Sequence, residues 1–254
     1  MPPKARKRFG QHFLTDRHYL ARIAATIDAK PGENLLEIGP GPGALTERLA
    51  QSADRLHAIE IDRDLAATLR ERFPMGMVTI HEGDVLEFDF ASLPAPLRVV
   101  GNLPYNISTP ILFRVAQYAE RISDCVFMLQ KEVVERMVAS PGTADYGRLS
   151  VMLQYRFAMD LVLRVPPGAF TPPPKVDSAL VRMQPLDANR PRARDDERFA
   201  AIVGAAFSQR RKTLRNAVKA WVAEEGFAKA GIDPRRRGET LGVAEFIALA
   251  DATS

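Results

Sequence analysis

Short apolar runs separated by amphipathic stretches dominate the larger, N-terminal part of the chain. Residues 34–38, 56–61, 77–81, 97–101 and 125–130 are each brief and largely apolar, the pattern of strands buried on both faces. Between them, 64–73 and 108–119 place apolar residues at helical spacing, and Leu20, Ile23, Ala24 and Ile27 do so ahead of the first strand. This alternation predicts right-handed βαβ units and a mostly parallel sheet covered by helices on both faces. Around 161–165 and 176–183 the order changes to two strands joined by a proline-rich link, which predicts an antiparallel pair at one edge. The polar stretch 185–195, with Pro185 and Pro191 and no periodicity, reads as a linker. The predicted organisation is an α/β domain over 1–187 and a small all-helical domain over 188–254, in which Phe207, Leu214, Val218 and Trp221 recur at helical spacing.

The first strand runs into Glu37-Ile38-Gly39-Pro40-Gly41-Pro42-Gly43-Ala44 and then a helix, the place where doubly wound sheets bind nucleotide-like ligands. Gly39, Gly41 and Ala44 satisfy a G-x-G-x-x-A dinucleotide fingerprint. Pro40 and Pro42 oppose that version, because proline has no backbone N–H and a pyrophosphate cradle depends on such donors. S-adenosylmethionine suits the loop better: it has no phosphate, and its ammonium and sulfonium can be balanced by carboxylates. Glu60 ends the second strand, about 20 residues beyond the glycines, where an acid can accept both ribose hydroxyls. Asp84 ends the third, where a carboxylate can meet an adenine amino group. The glycine pattern alone leaves an NAD-dependent oxidoreductase open, although no hydride-transfer site is recognisable.

At the end of the fourth strand stands Asn102-Leu103-Pro104-Tyr105. An adenine N6 lone pair is delocalised into the ring and is a poor nucleophile. A side-chain amide oxygen and a backbone carbonyl that accept its two N–H bonds favour the pyramidal form whose lone pair points at a methyl donor, so catalysis comes from positioning and hydrogen bonding. Tyr105 can stack on an extruded base, and Pro104 fixes the turn between the two functions.

Length and composition add limits. A chain of 254 residues with 46% hydrophobic content can bury a full α/β core and a small appended module. Cys125, the only cysteine, lies in an apolar run, so neither a disulfide framework nor a cysteine metal cluster is available; no metal is expected, and a reducing cytoplasm fits. Lys4, Arg6, Lys7 and Arg8 lack the apolar stretch of a signal peptide, and no run approaches about 18 apolar residues. A soluble cytoplasmic protein with no membrane partner is expected. The net charge of +4 is unevenly distributed: residues 1–189 hold 22 basic and 22 acidic side chains, residues 190–254 hold 13 and 9. A basic appendage on a neutral body suggests a polyanionic partner. Lys212, Arg215 and Lys219 fall on one face of the expected helix, opposite its apolar stripe, and Arg235, Arg236 and Arg237 add a second cluster. These are the candidate phosphate contacts; by themselves they also permit a non-catalytic nucleic-acid-binding factor.

Taken together, Lys7-Arg8-Phe9-Gly10-Gln11-His12-Phe13-Leu14, the 37–43 loop, Gly101-Asn102-Leu103-Pro104-Tyr105-Asn106-Ile107-Ser108, Tyr146-Gly147-Arg148-Leu149-Ser150 and Phe170-Thr171-Pro172-Pro173-Pro174-Lys175-Val176-Asp177-Ser178 resemble the small-subunit ribosomal RNA adenine dimethyltransferases of the KsgA (RsmA) type. The similarity runs from Lys7 to about Leu241 and includes the 207–215 segment. It implies a Rossmann-like class I methyltransferase domain with a helical C-terminal domain, S-adenosylmethionine as cofactor, and N6,N6-dimethyladenosine formed at two adjacent adenosines in the last hairpin loop of 16S rRNA in the assembling small subunit. It implies cofactor contacts from His12, Leu14, Gly39, Gly41, Glu60, Asp84 and Asn102, catalytic and substrate roles for Asn102, Leu103, Pro104 and Tyr105, and closure of Phe170 over the other face of the target base. A monomer is expected. Enzymes of the Erm type, which act on large-subunit rRNA, are the nearest alternative in the same fold, and the Asn102–Tyr105 and 170–176 segments favour the small-subunit type.

Overall fold

The computed structural model describes residues 11–74, 76–209 and 211–253. Lys4, Arg6, Lys7, Arg8 and Arg210 lie outside the described residues. In chain order the elements are β1 (Phe13–Leu14), α1 (Arg17–Ile27), β2 (Asn34–Ile38), α2 (Ala44–Leu49), β3 (Leu56–Glu60), α3 (Arg63–Arg72), β4 (Val78–Glu82), β5 (Leu97–Asn102), α4 (Ser108–Gln117), β6 (Ile122–Gln130), α5 (Lys131–Val138), α6 (Arg148–Gln154), β7 (Phe157–Val165), β8 (Phe170–Thr171), β9 (Ser178–Pro185), α7 (Asp196–Ser208), α8 (Leu214–Val218), α9 (Glu224–Ala230) and α10 (Val243–Asp251).

The main sheet has the order β4-β3-β2-β5-β6-β9-β7. Its β4, β3, β2, β5 and β6 strands pair in parallel, and β9 joins β6 antiparallel, with Cys125 opposite Met183 and Gln130 opposite Ser178. All of β2 is buried, as a parallel strand covered on both faces must be. From β2 the chain moves outward through β3 to β4, then returns to the other side of β2 as β5. The order therefore reverses between β2 and β5, and a crevice forms at their carboxyl ends, which carry Gly39 and Asn102. The other end is locked by charge. Arg98 on β5 donates to Asp124 on β6 at 2.8 Å and to Glu33 at 2.7 Å, and Arg182 on β9 reaches the same Asp124 at 2.7 Å. Removing Arg98 or Asp124, the buried pair at its centre, costs about 3–5 kcal/mol, and Asp124 also ties the antiparallel β9 to the parallel strands through Arg182.

Two compact units emerge, and they are not the linear division expected from the linker. The first is the chain up to Val134 together with Ala158–Pro185; the second is Glu135–Phe157 with Leu186 onward. Residues 135–157 belong with the helices because their apolar side chains find partners there. Tyr146 is fully buried and donates to the Leu241 carbonyl at 2.9 Å, and Val151 and Tyr155 share a buried cluster with Phe199, Leu214 and Phe246. Tyr146 and Ser150, the two ends of that motif, are thus core structure of the helical unit.

The expected continuous basic helix is interrupted. α7 ends at Ser208, a turn closes through Lys212 N–H to the Gln209 carbonyl at 2.9 Å, and α8 starts after Thr213 at its N-cap. A run of like charges opposes a helix at this point, and threonine favours a cap over an interior position. Lys212 lies in the turn, Arg215 in α8 and Lys219 at its C-cap, so the three do not form one helical face. Phe207 likewise belongs to α7, and Trp221 is 43% exposed, while Leu214 and Val218 are buried as predicted.

Candidate active site

The glycine loop after β2 is built by left-handed backbone. Gly39, Gly41 and Gly43 have φ of 66°, 57° and 84°, values that residues with a Cβ rarely adopt. Their N–H groups are all used within the first unit: Gly39 donates to the Ile59 carbonyl at 2.9 Å, Gly43 to the Pro40 carbonyl at 2.9 Å, and Gly41 to Glu60 Oε2 at 3.1 Å. With Pro40 and Pro42 lacking N–H, these positions offer no spare donor to a pyrophosphate. This discriminates against a dinucleotide and agrees with a cofactor that carries positive charge and no phosphate.

Glu60 is held from two sides, since its Oε1 also accepts from Asp62 N–H at 3.0 Å. Burial raises its pKa, opposed by these backbone hydrogen bonds. Asp84 stands at the next strand end, where its Oδ1 accepts from Leu86 N–H at 2.9 Å. Behind the loop lies Glu37, fully enclosed, accepting from the Thr46 hydroxyl at 2.6 Å; desolvation pushes its pKa up to about 7.

A strap crosses this crevice. β1 pairs antiparallel with β8, Leu14 opposite Phe170, so residues 11–14 lie over the carboxyl ends of the strands. The His12 carbonyl accepts from Asn102 Nδ2 at 2.8 Å, which fixes the Asn102 amide so that Oδ1 remains as its acceptor. The His12 ring stacks beside Tyr105, centroids 5.6 Å apart, and its Nδ1 lies 2.8 Å from the Pro172 carbonyl. The Tyr105 hydroxyl is 2.5 Å from Ser178 Oγ. Phe13 explains one glycine: a Cβ on Gly41 would sit 3.0 Å from its ring.

The resulting cleft brings together His12, Gly39, Gly41, Glu60, Asp84, Asn102, Leu103, Pro104 and Tyr105. Leu14 is not among its lining residues; its side chain is buried on the inner side of the strap and faces a smaller adjoining cavity that Glu37 also lines. Phe170 does not reach the cleft either. Its side chain is 3% exposed and belongs to the buried cluster of Leu14, Val165 and Leu180. Strand alternation in β8 sends Phe170 inward and Thr171 outward, so in this structure Phe170 packs as a core residue.

Sequence reasoning missed Phe13, the apolar wall of Ile61, Val85 and Ile111, and the buried Glu37 and Ser178. For Ile61 and Val85 a signal existed: each directly follows an acidic strand-end residue. Ser178 was visible only as the end of the 170–178 motif, and its pairing was not, because its partner lies 73 positions away.

In the second unit the basic residues gather by backbone pairing. Leu214 N–H donates to the Arg236 carbonyl at 2.7 Å and Arg215 N–H to the Pro234 carbonyl at 3.0 Å, which brings the 211–215 turn beside 234–237. Arg235 pairs with Asp233 at 3.0 Å, Arg236 with Glu245, and Arg215 with Glu224, whereas Arg211, Lys212 and Arg237 are exposed. No helix among the described residues is long and apolar enough to cross a membrane.

A mostly parallel sheet with this strand reversal, a phosphate-averse glycine loop, and an Asn-Leu-Pro-Tyr turn facing the same cleft together define a class I methyltransferase. The ribosomal RNA adenine dimethylase family matches residues 3–253, and the chain belongs to it. It is 58% identical over 246 residues to the ribosomal RNA small subunit methyltransferase A of Aromatoleum aromaticum, covering 97% of this chain and 93% of the relative. Among solved structures, a dimethyladenosine transferase from Plasmodium falciparum shares the fold, with a TM-score of 0.79 at 24% identity over 94% of this chain and 96% of that one. The 23S rRNA methyltransferase ErmE follows with a TM-score of 0.71 at 29% identity, covering 95% and 99%.

Proposed function

We propose that the protein transfers methyl groups from S-adenosylmethionine to N6 of two adjacent adenosines in the 3′-terminal hairpin loop of 16S rRNA, giving N6,N6-dimethyladenosine in the assembling small ribosomal subunit of the cytoplasm. The observation that carries the reading is the Asn102 amide, whose Nδ2 is committed to the His12 carbonyl at the wall of a cleft that also presents Glu60 and Asp84. Its Oδ1 would accept one N6–H of adenine and a backbone carbonyl of the same turn the other, which would leave the lone pair free to meet the methyl donor. Tyr105 holds the base by stacking, worth about 1–3 kcal/mol per base.

The donor set fits the cofactor. Glu60 would accept the ribose hydroxyls, Asp84 would accept the adenine amino group, and Ile61 and Val85, which line the same cleft, would pack against the ring. S-adenosylmethionine supplies an electrophilic methyl on a sulfonium, and the consumed loop N–H groups favour it over a pyrophosphate carrier. The small-subunit assignment over the Erm type is supported by the relative named for that activity at 58% identity, against 29% for ErmE. The basic turn of the second unit, with Arg211, Lys212 and Arg237 exposed, is assigned to rRNA phosphates. In cells lacking the endogenous enzyme, expression of this chain is expected to restore N6,N6-dimethyladenosine to 16S rRNA digests. Digests that stay unmethylated, or a product in 23S rRNA, would contradict the proposal.

A further inference from the structure

We propose that Ser178 is a positioning residue for methyl transfer, its hydroxyl holding the Tyr105 ring in the attitude that receives the target base. The proposal rests on the reading of Tyr105 as the stacking residue. Ser178 opens β9 opposite Gln130 of β6, and its side chain is fully buried. The strand continues as Ala179, Leu180 and Val181, all buried and apolar. A hydroxyl at the head of such a strand is costly unless it is hydrogen-bonded, and its partner is the Tyr105 hydroxyl at 2.5 Å. Packing alone would be served by alanine at 178 and phenylalanine at 105; the matched pair of hydroxyls does something that packing does not.

What it does follows from where Tyr105 stands. The residue lines the cleft and comes three positions after Asn102, in a turn held by Ile107 N–H to the Pro104 carbonyl at 3.2 Å. Its hydroxyl is fixed by Ser178 and its ring lies against His12, whose Nδ1 is 2.8 Å from the Pro172 carbonyl in the link that leads to Ser178. An aromatic wall set before the base arrives spares the ordering that binding would otherwise demand. Ser178 therefore acts on base insertion, through Tyr105, and not on the cofactor, whose assigned ligands lie on other strands.

The test uses the full chain, unmethylated small ribosomal subunits and saturating S-adenosylmethionine, with single-turnover rates recorded over a range of subunit concentrations. Ser178→Ala and Tyr105→Phe each delete the same hydrogen bond. Each is expected to raise the half-saturating subunit concentration by roughly threefold to tenfold and to leave cofactor affinity at the parent value. The double variant should be no worse than the poorer single one, because a shared interaction is lost only once. Ser178→Thr, which keeps the hydroxyl, should restore the parent value. If Ser178→Ala fails to fold, Tyr105→Phe still reports the bond. Additive effects in the double variant, or an unchanged half-saturation in both single variants, would overturn the proposal while leaving Tyr105 in place. A Tyr105→Ala variant with parent behaviour would instead remove the stacking reading and this proposal with it.

Discussion

Replacing Glu37 by Gln should stabilise the cofactor-free protein, and more so as pH rises. Glu37 is 2% exposed, accepts from the Thr46 hydroxyl at 2.6 Å, and has its pKa pushed by desolvation from 4.5 up to about 7. Below pH 4.5 the carboxyl is protonated in both folded and unfolded chains. Between that value and about 7 the folded protein keeps a proton that the unfolded chain has released, so stability falls as pH rises, and above 7 the loss is complete. At about 1.4 kcal/mol per pK unit, the ionised carboxylate costs the fold on the order of 3 kcal/mol at alkaline pH. Gln keeps an oxygen to accept from Thr46 and carries no charge. Urea unfolding followed by circular dichroism at pH 5 and pH 8.5 should show the gap between variant and parent widening by about 2–3 kcal/mol. Proton uptake by the hydrogen-bonded His57–His81 pair, whose pKa values burial lowers, is common to both proteins and cancels in the difference. A gap independent of pH, or one that narrows as pH rises, would show that Glu37 ionises normally and would refute the reasoning.

Glu60→Ala should weaken S-adenosylmethionine binding more than tenfold, since losing hydrogen bonds to a charged acceptor costs about 1.5–3 kcal/mol; calorimetry on the folded variant measures it, and parent affinity would remove the assignment. Asn102→Ala should lower the single-turnover rate at saturating cofactor and RNA by about 100-fold, the range of a lost transition-state hydrogen bond, whereas Tyr105→Ala should chiefly impair productive base insertion. A near-parent rate for the Asn102 variant would discard the amine-activation mechanism. Changing Arg211, Lys212 and Arg237 together to Gln should flatten the salt dependence of subunit binding by up to about 0.9 in log–log slope per lost phosphate contact, with cofactor affinity unchanged. A parent slope would mean that rRNA docks elsewhere.

Much of the sheet was legible because its central strands, β2, β5 and β6, are almost wholly buried. The apolar run 34–38 coincides with β2, and the acids at 60 and 84 follow from the rule that ligands gather at strand ends. What was not legible depends on long-range pairing. β1 and β8 are two residues each, too short for any periodicity, and they join positions more than 150 apart, so the strap that orients Asn102 and fills the space beside Gly41 had no local signature. The packing of Phe170 was hidden for the same reason: its short strand exists through pairing with β1, where it stands opposite Leu14. The unit boundary misled differently. A polar linker marks the step at Pro185, but the move of Glu135–Phe157 into the helical unit is dictated by Tyr146 reaching Leu241, 95 positions away. The basic face failed because apolar spacing carried a helix across Gln209–Thr213, where charge repulsion and capping end it.

The most direct test supplies the purified protein with S-adenosylmethionine bearing a labelled methyl group, together with small and large ribosomal subunits from cells that lack the enzyme, and maps the labelled nucleotides. The account predicts label in small subunits alone, as N6,N6-dimethyladenosine at two adjacent positions near the 3′ end of 16S rRNA. Label confined to large subunits, or on an atom other than adenine N6, would contradict it.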